Sequence, residues 1–195
     1  MCGRYYVDDE TSQEIEKIVK KLDQRLKIEH GQDIHPSESA VVLTKECREV
    51  AARQMQWGFP GFQGKGLLIN ARAEAILDKK TFRESVLHRR CVIPARHFYE
   101  WSKNKEKYTF QSPKQDATLF MAGGYQIYNG QNRFVILTTQ ANASVAPVHE
   151  RMPLLLERQE LEDWIMEDAA VEIILAKKPI PLNRTAEYEQ LKLFS

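Results

Sequence analysis

Hydrophobic positions along this 195-residue chain follow two periods, and the change between them sets the expected architecture. Within residues 11–29, Ile15, Ile18, Val19, Leu22 and Leu26 recur at three- and four-residue steps, which predicts an amphipathic helix. Thr11 followed by Glu14 reads as a capping box at its start. Residues 30–39 carry Gly, Pro and Ser and read as a loop. Short apolar runs bounded by turn residues then predict strands over 40–44, 50–57, 91–94, 97–101, 107–111, 118–128 and 133–139. A Gly-rich stretch, GFPGFQGKG (58–66), opens onto LLIN and ARAE, and residues 81–90 suit a short helix. Pro147 and Pro153 make residues 140–153 irregular; two short helices, near 157–166 and 169–175, precede a Pro-rich tail. Strands in the middle with helices at both ends predict an α+β fold rather than alternating βαβ units. We expect a single domain over 1–195, with a strongly bent, barrel-like, mostly antiparallel β core and peripheral helices.

Composition adds little to that picture and removes several alternatives. Hydrophobic residues make up 43% and charged residues 28%, ordinary proportions for a soluble globular chain. No stretch approaches the roughly 20 apolar residues needed to span a bilayer. The opening MCGRYYVDDETSQE has no apolar core of a signal peptide, so a cytoplasmic location is expected. Cys2, Cys47 and Cys91 are far apart and lack zinc or disulfide spacing; Cys47 and Cys91 read as small buried apolar side chains. The net charge of +1 is unevenly spread. Residues 65–107 carry 11 Lys/Arg against 5 Asp/Glu, whereas residues 157–195 carry 5 against 9. Such asymmetry fits either a polyanion-binding face or ordinary solvated surface.

The chemistry begins at MCGRY. Removal of the initiator methionine would leave Cys2 with a free α-amine, of unperturbed pKa about 7.7–8.0, beside a thiol of about 8.5. The amine attacks an aldehyde to give an imine, and the β-thiol then closes a five-membered thiazolidine. Alternatively, the thiol attacks an amide carbonyl, as N-terminal nucleophile hydrolases do. Alone, a cysteine at position 2 also reads as an accident of composition. Asn70 could cap a helix, Glu100 could be a surface strand residue, and His149 could be any loop histidine. Trp57 and Trp101 adjoin apolar strands and read as core or wall residues.

Taken in order, MCGRY, WG (57–58), NAR-E (70–74), the C-IPA–FYEW block (91–101) and TT-AN-SVAP-H-RMP (138–153) closely resemble the SRAP family of SOS response-associated peptidase-like proteins. The resemblance runs from Cys2 to about Trp164. It implies recognition of abasic sites in single-stranded DNA and a covalent, reversible thiazolidine crosslink made by Cys2, shielding the lesion during DNA repair. Asn70 would hold the Cys2 amine or the sugar in place. Glu100 would be the general acid/base, in a lyase-like, self-reversing reaction. His149 would donate to a sugar hydroxyl or phosphate and help to dehydrate the carbinolamine. Arg4, Arg72 and Arg151 would meet phosphates, Pro36 and Phe62 would wedge against flanking bases, and Lys80 would add a cationic contact.

The resemblance implies no metal and no organic cofactor, no membrane, and a monomer working in a bacterial-type cytoplasm near the nucleoid and the replication machinery. Two positions depart from the pattern. Asp33 stands where relatives often carry Asn, so an acid either faces phosphate or shapes the loop. Gln63 stands where some relatives carry a second aromatic after the position of Phe62. Two rival readings remain: an N-terminal-nucleophile cysteine peptidase or amidohydrolase using the same Cys2, Asn70, Glu100 and His149, and a non-catalytic single-strand DNA or RNA binder, in which that constellation would have no purpose.

Overall fold

The computed structural model describes residues 2–19, 31–115 and 117–187. In chain order these form β1 (Tyr5–Val7), α1 (Asp9–Ile18), β2 (Gln32–Ile34), β3 (Ser39–Glu46), β4 (Glu49–Trp57), β5 (Phe59–Pro60), β6 (Leu67–Leu68) and β7 (Asn70–Arg72). There follow α2 (Lys80–His88), β8 (Arg90–Ala95), β9 (His97–Trp101), β10 (Lys107–Gln111), β11 (Leu119–Tyr128) and β12 (Gln131–Gln140). The last elements are β13 (Arg151–Pro153), β14 (Leu155–Leu156), α3 (Glu160–Met166), α4 (Val171–Leu175) and β15 (Asn183–Ala186). Strands β12, β4, β3, β8 and β11 pair in that order and β11 pairs back onto β12, which closes a five-stranded barrel. Only the β12–β4 contact in that ring is parallel. The expected α+β domain with a barrel-like, mostly antiparallel core is therefore the observed fold.

β8, the central parts of β3 and β12 and the first part of β11 are buried on both faces, which explains their continuous apolar runs, whereas β4 keeps exposed polar residues such as Arg53 and Gln54. Along β12, Phe134 and Ile136 join one cluster while Val135 and Leu137 join the other. The second cluster packs against the helices through Val86, Trp164, Ile165 and Ile174. The first holds Cys2, Tyr5, Trp57, Phe98 and Phe110, and so faces the N-terminus. There a second sheet, ordered β15-β10-β9-β1-β2, lies beside the barrel with β1 clasped between β2 and β9. Three residues of β1 thus fix where Cys2 sits.

Several elements differ from the sequence-based expectation. Helix α1 begins at Asp9 because Asp8, not Thr11, is its cap: Asp8 Oδ1 accepts from Thr11 N at 2.9 Å and from Thr11 Oγ1 at 2.6 Å. Residues 20–29 of the predicted helix, Leu22 and Leu26 included, lie outside the described residues. Strands β2 and β15 form in stretches expected to be loop and tail. Their ladders recruit polar residues such as Gln32 and Asn183 that carry no strand signal of their own. Cys91 is buried as expected, but Cys47 is exposed at the β3–β4 turn with φ +55°. A two-residue turn leaves no room to bury it.

The basic stretch is partly internal. Arg90 is buried, donates to the carbonyls of Trp164, Val86 and Leu87, and pairs with Asp168 at 2.7 Å. Arg96 pairs with Asp8 and Lys107 with Glu187. No helix among the described residues is long and apolar enough to cross a membrane.

Gly123 in β11 marks the tightest point of the barrel wall. A Cβ there would lie 2.4 Å from Ile93 Cδ1 and 2.7 Å from Val135 O. Gly123→Ala is expected to destabilise the fold by about 1–3 kcal/mol through overpacking. Equilibrium denaturation would check this, and an unchanged midpoint would show that the wall yields freely.

Candidate active site

Four of the sequence-derived residues converge where β1 meets the barrel. Cys2 precedes β1 and is fully buried. Asn70 opens β7, which runs parallel to β12 with Asn70 opposite Ile136. From there Asn70 Nδ2 donates to the Cys2 carbonyl at 2.8 Å, so the residue grips the nucleophile by its backbone. Its Oδ1 is buried and has no hydrogen-bond partner among the described residues. Glu100 lies on β9 opposite Tyr108 and is only 3% exposed. His149 stands in the loop between β12 and β13.

The electrostatics tie these groups together. Burial raises the Cys2 thiol above its ordinary value, and the neighbouring Glu100 carboxylate raises it further. Burial likewise raises the Glu100 carboxyl above the usual carboxylate range, against the pull of nearby positive charge that includes His149. A desolvated carboxyl of this kind holds or releases a proton closer to neutrality than an exposed one. His149 Nδ1 lies 3.0 Å from the Arg151 amide and 3.2 Å from the Arg151 carbonyl oxygen. The bare nitrogen accepts from the amide, and the protonated one donates to the carbonyl. The backbone of one residue, Arg151, therefore matches either tautomer of the ring.

The WG block supplies the floor. Trp57 stacks with Phe134 and tilts against Tyr5, and its Nε1 donates to Ile69 O at 2.9 Å, beside Asn70. Gly58 adopts φ +110°, and a Cβ there would press on Leu67 at 3.3 Å. The expectation that Trp57 is a core residue fits these contacts. Trp101 is 38% exposed and borders, with His149, Tyr108 and Pro147, an open cleft of about 790 Å³.

The remaining sequence-derived residues divide into engaged and exposed. Arg4 Nε donates to His35 Nε2 at 2.8 Å and lies 3.6 Å from Asp33 Oδ2. Its guanidinium also sits over Tyr99 and Trp101. Asp33 thus pairs with Arg4 and shapes the loop. Arg151 is 8% exposed and holds both oxygens of Glu74. Pro36 is half-buried in the turn after β2. Phe62 is 85% exposed at the tip of the β5–β6 hairpin. Arg72 and Lys80 are exposed at the ends of β7 and α2. Sequence reasoning assigned no role to Glu74, His35, His97 or Tyr99, although Glu74 and Tyr99 stand in the quoted NAR-E and FYEW motifs and His97 lies within the same block as FYEW. Among the described residues no group of three or more His, Cys, Asp or Glu is placed to hold a metal ion.

Comparison with known proteins places this arrangement. Residues 1–190 match the family described as SOS response associated peptidase (SRAP), and the chain belongs to that family. It is 29% identical over 181 residues to the abasic site processing protein YoqW of Bacillus subtilis, covering 85% of this chain and 80% of that one. It is 26% identical over 179 residues to the abasic site processing protein YoaM of the same organism, covering 85% and 79%. A crystal structure of a Bacteroides thetaiotaomicron protein superposes with a TM-score of 0.80 at 20% identity, covering 98% of this chain and 94% of that one. This last likeness concerns the fold.

His97, hydrogen-bonded to Tyr99 beneath Arg4 and stacked on Tyr6, carries a pH signature. Burial lowers His97 from 6.5 to about 4, opposed by the charges of Asp33 and Asp8. The unfolded chain therefore binds the extra proton between these values, and stability falls as pH is lowered through that window. Above pH 6.5 the contribution is complete. His97→Gln should flatten the fall of the thermal midpoint across this range. An identical slope in the variant would assign the pH dependence elsewhere.

Proposed function

We propose that this SRAP family member captures abasic sites in single-stranded DNA through Cys2, once removal of Met1 frees its amine. The observation that carries the reading is a buried thiol at position 2 beside a buried carboxyl, with Asn70 gripping the Cys2 backbone. A serviceable peptidase thiol would be expected to lie near a group that lowers its pKa; here burial and Glu100 both raise it. Addition of an amine to an aldehyde makes no demand for a thiolate in its first step.

The steps follow from what each group can do. The ring-opened sugar of an abasic site presents an aldehyde at C1′. The Cys2 nitrogen attacks that carbon, its proton passes to the oxygen, and a carbinolamine forms. Glu100, whose carboxyl burial shifts toward keeping its proton, gives a proton to the departing hydroxyl; water leaves, the nitrogen's remaining proton returns to the carboxylate, and the neutral imine remains. The Cys2 sulfur then adds to the imine carbon while the thiol proton passes to nitrogen, closing the thiazolidine with net loss of one water. Reversal uses the same carboxyl as base, by microscopic reversibility. The spare Asn70 Oδ1 accepts from the Cys2 amine or a sugar hydroxyl. His149 donates to a sugar hydroxyl or phosphate and assists the dehydration.

Single-stranded DNA would engage exposed cations and apolar groups on the surface. Arg72 and Lys80 meet phosphates from the surface, with Arg4 and Arg151 nearer the lesion. Pro36 and Phe62 lean on flanking bases. A flexible single strand suits a recessed nucleophile, because an unpaired abasic sugar enters without the cost of opening a duplex.

Mass spectrometry of the purified protein, with and without an abasic single-stranded oligonucleotide, tests the reading. The expected result is a chain lacking Met1 and an adduct equal to protein plus oligonucleotide less one water, absent in Cys2→Ala. Peptide cleavage without any DNA adduct would overturn it in favour of a cysteine peptidase. Glu100→Gln should slow adduct formation by about 10²–10⁴-fold while noncovalent binding of the oligonucleotide changes little. Wild-type kinetics in that variant would remove Glu100 from its role.

A further inference from the structure

We propose that Glu74 is a positioning residue for this reaction, acting through Arg151 to fix His149. The inference rests on the reading above for its kinetic consequence, though not for its structural one. Glu74 follows the NAR strand on the short turn Ala73–Ala75, whose first residue is buried and anchors the turn. Both Glu74 oxygens accept from Arg151, Oε1 from Nη1 and Oε2 from Nη2 at 2.9 Å. Nη2 also donates to the Thr138 carbonyl at 2.6 Å. The guanidinium is thus held between β12 and the turn after β7. Two parallel N–H···O bonds set its orientation as well as its position.

The consequence reaches the site through the backbone of the same residue. Arg151 presents its amide and its carbonyl to His149 Nδ1, at 3.0 and 3.2 Å. His149 in turn bears on Glu100. Hydrogen bonds run from Glu74 through Arg151 to His149, and the charge of His149 acts on the Glu100 carboxyl; in the proposed reaction only those last two would meet the reacting atoms. The Arg151 pairing also holds the Glu74 carboxyl below its ordinary range, so Glu74 stays charged wherever the reaction runs. Removing the carboxylate leaves a guanidinium, 8% exposed, without its counter-charge. It then has reason to swing toward solvent and draw the Arg151 peptide away from the imidazole.

A purely structural staple between the turn and β13 would cost stability and nothing else. Two measurements separate the roles. The first is NMR of 15N-histidine-labelled protein without DNA, compared between wild type and Glu74→Gln. In wild type the neutral His149 ring should show one predominant tautomer, with Nδ1 accepting from the Arg151 amide, and the variant should show a mixture of tautomers. Unchanged His149 signals in a folded variant would overturn the proposal. The second is the crosslinking rate at saturating abasic single strand across pH 5–9. Glu74→Gln should slow it by about 10- to 100-fold, the scale of a misplaced catalytic group. The effect should largely vanish on a His149→Ala background, and Glu74→Asp should recover less than half of the loss. Equal slowing with and without His149 would overturn the route through that residue. A wild-type protein that forms no adduct would sink the crosslinking function, while the NMR comparison would still decide the role of Glu74.

Discussion

The structure turns on the removal of Glu100 and Cys2 from water. A carboxylate in a low-dielectric interior is costly, so the group keeps its proton to higher pH, as an acid for the leaving hydroxyl of the proposed reaction would need to. The same burial silences the thiol as a thiolate. Both effects fit the proposed reaction, which begins at nitrogen and uses sulfur second. A nucleophile that had to attack as thiolate would be badly served here, whereas an amine awaiting an aldehyde is served well.

Holding that pair dry is the task of the strand arrangement. β1 is three residues long, yet it lies between β2 and β9 and anchors the residues that precede it. Glu100 on β9 and Tyr5 on β1 flank one seam, and Trp57 from the barrel closes it from beneath. The barrel contributes Asn70 through β7, a strand added in parallel at the edge of β12. Two sheets therefore share one site, and neither alone contains it. Shifting β1 by one residue along β9 would reverse which side chains face the seam. The pairing of Tyr5 with Phe98 is in this sense part of the chemistry.

Much of this was legible in the sequence, for reasons that differ by element. β8, the central parts of β3 and β12 and the first part of β11 declared themselves because burial on both faces demands apolar runs. β2, β13 and β15 did not, since short edge and bridging strands are held by their partners' hydrogen bonds rather than by their own residues. Helix α1 was visible but its cap was misassigned: Thr11 has the right chemistry, yet Asp8 sits where the amide of Thr11 needs an acceptor. Cys2, Asn70, Glu100 and His149 were found by resemblance to a family, not by spacing. Their separations along the chain carry no periodic signal, because the fold alone brings them together. The charge asymmetry overstated the surface field, since Arg90 spends its charge on interior carbonyls and Asp168.

The motif residues without chemistry of their own explain why the blocks are long. Asn142 donates to the carbonyls of Pro179 and Ile180 and accepts from Ser144, pinning the loop that carries His149 to the C-terminal segment. Ser144 Oγ accepts from Leu182 N at 3.0 Å, adding a second tether. Gly58 lets the chain turn under Trp57 without displacing Leu67. Asp33 gives Arg4 a counter-charge and takes the place an uncharged side chain could fill only in part. Each of these acts at one remove, by limiting where a reacting group can move. A site assembled from four distant segments has no local structure to hold its geometry, so the tolerance must come from such tethers. The long blocks are the record of that requirement, and a search limited to nucleophiles, acids and bases would pass over most of it.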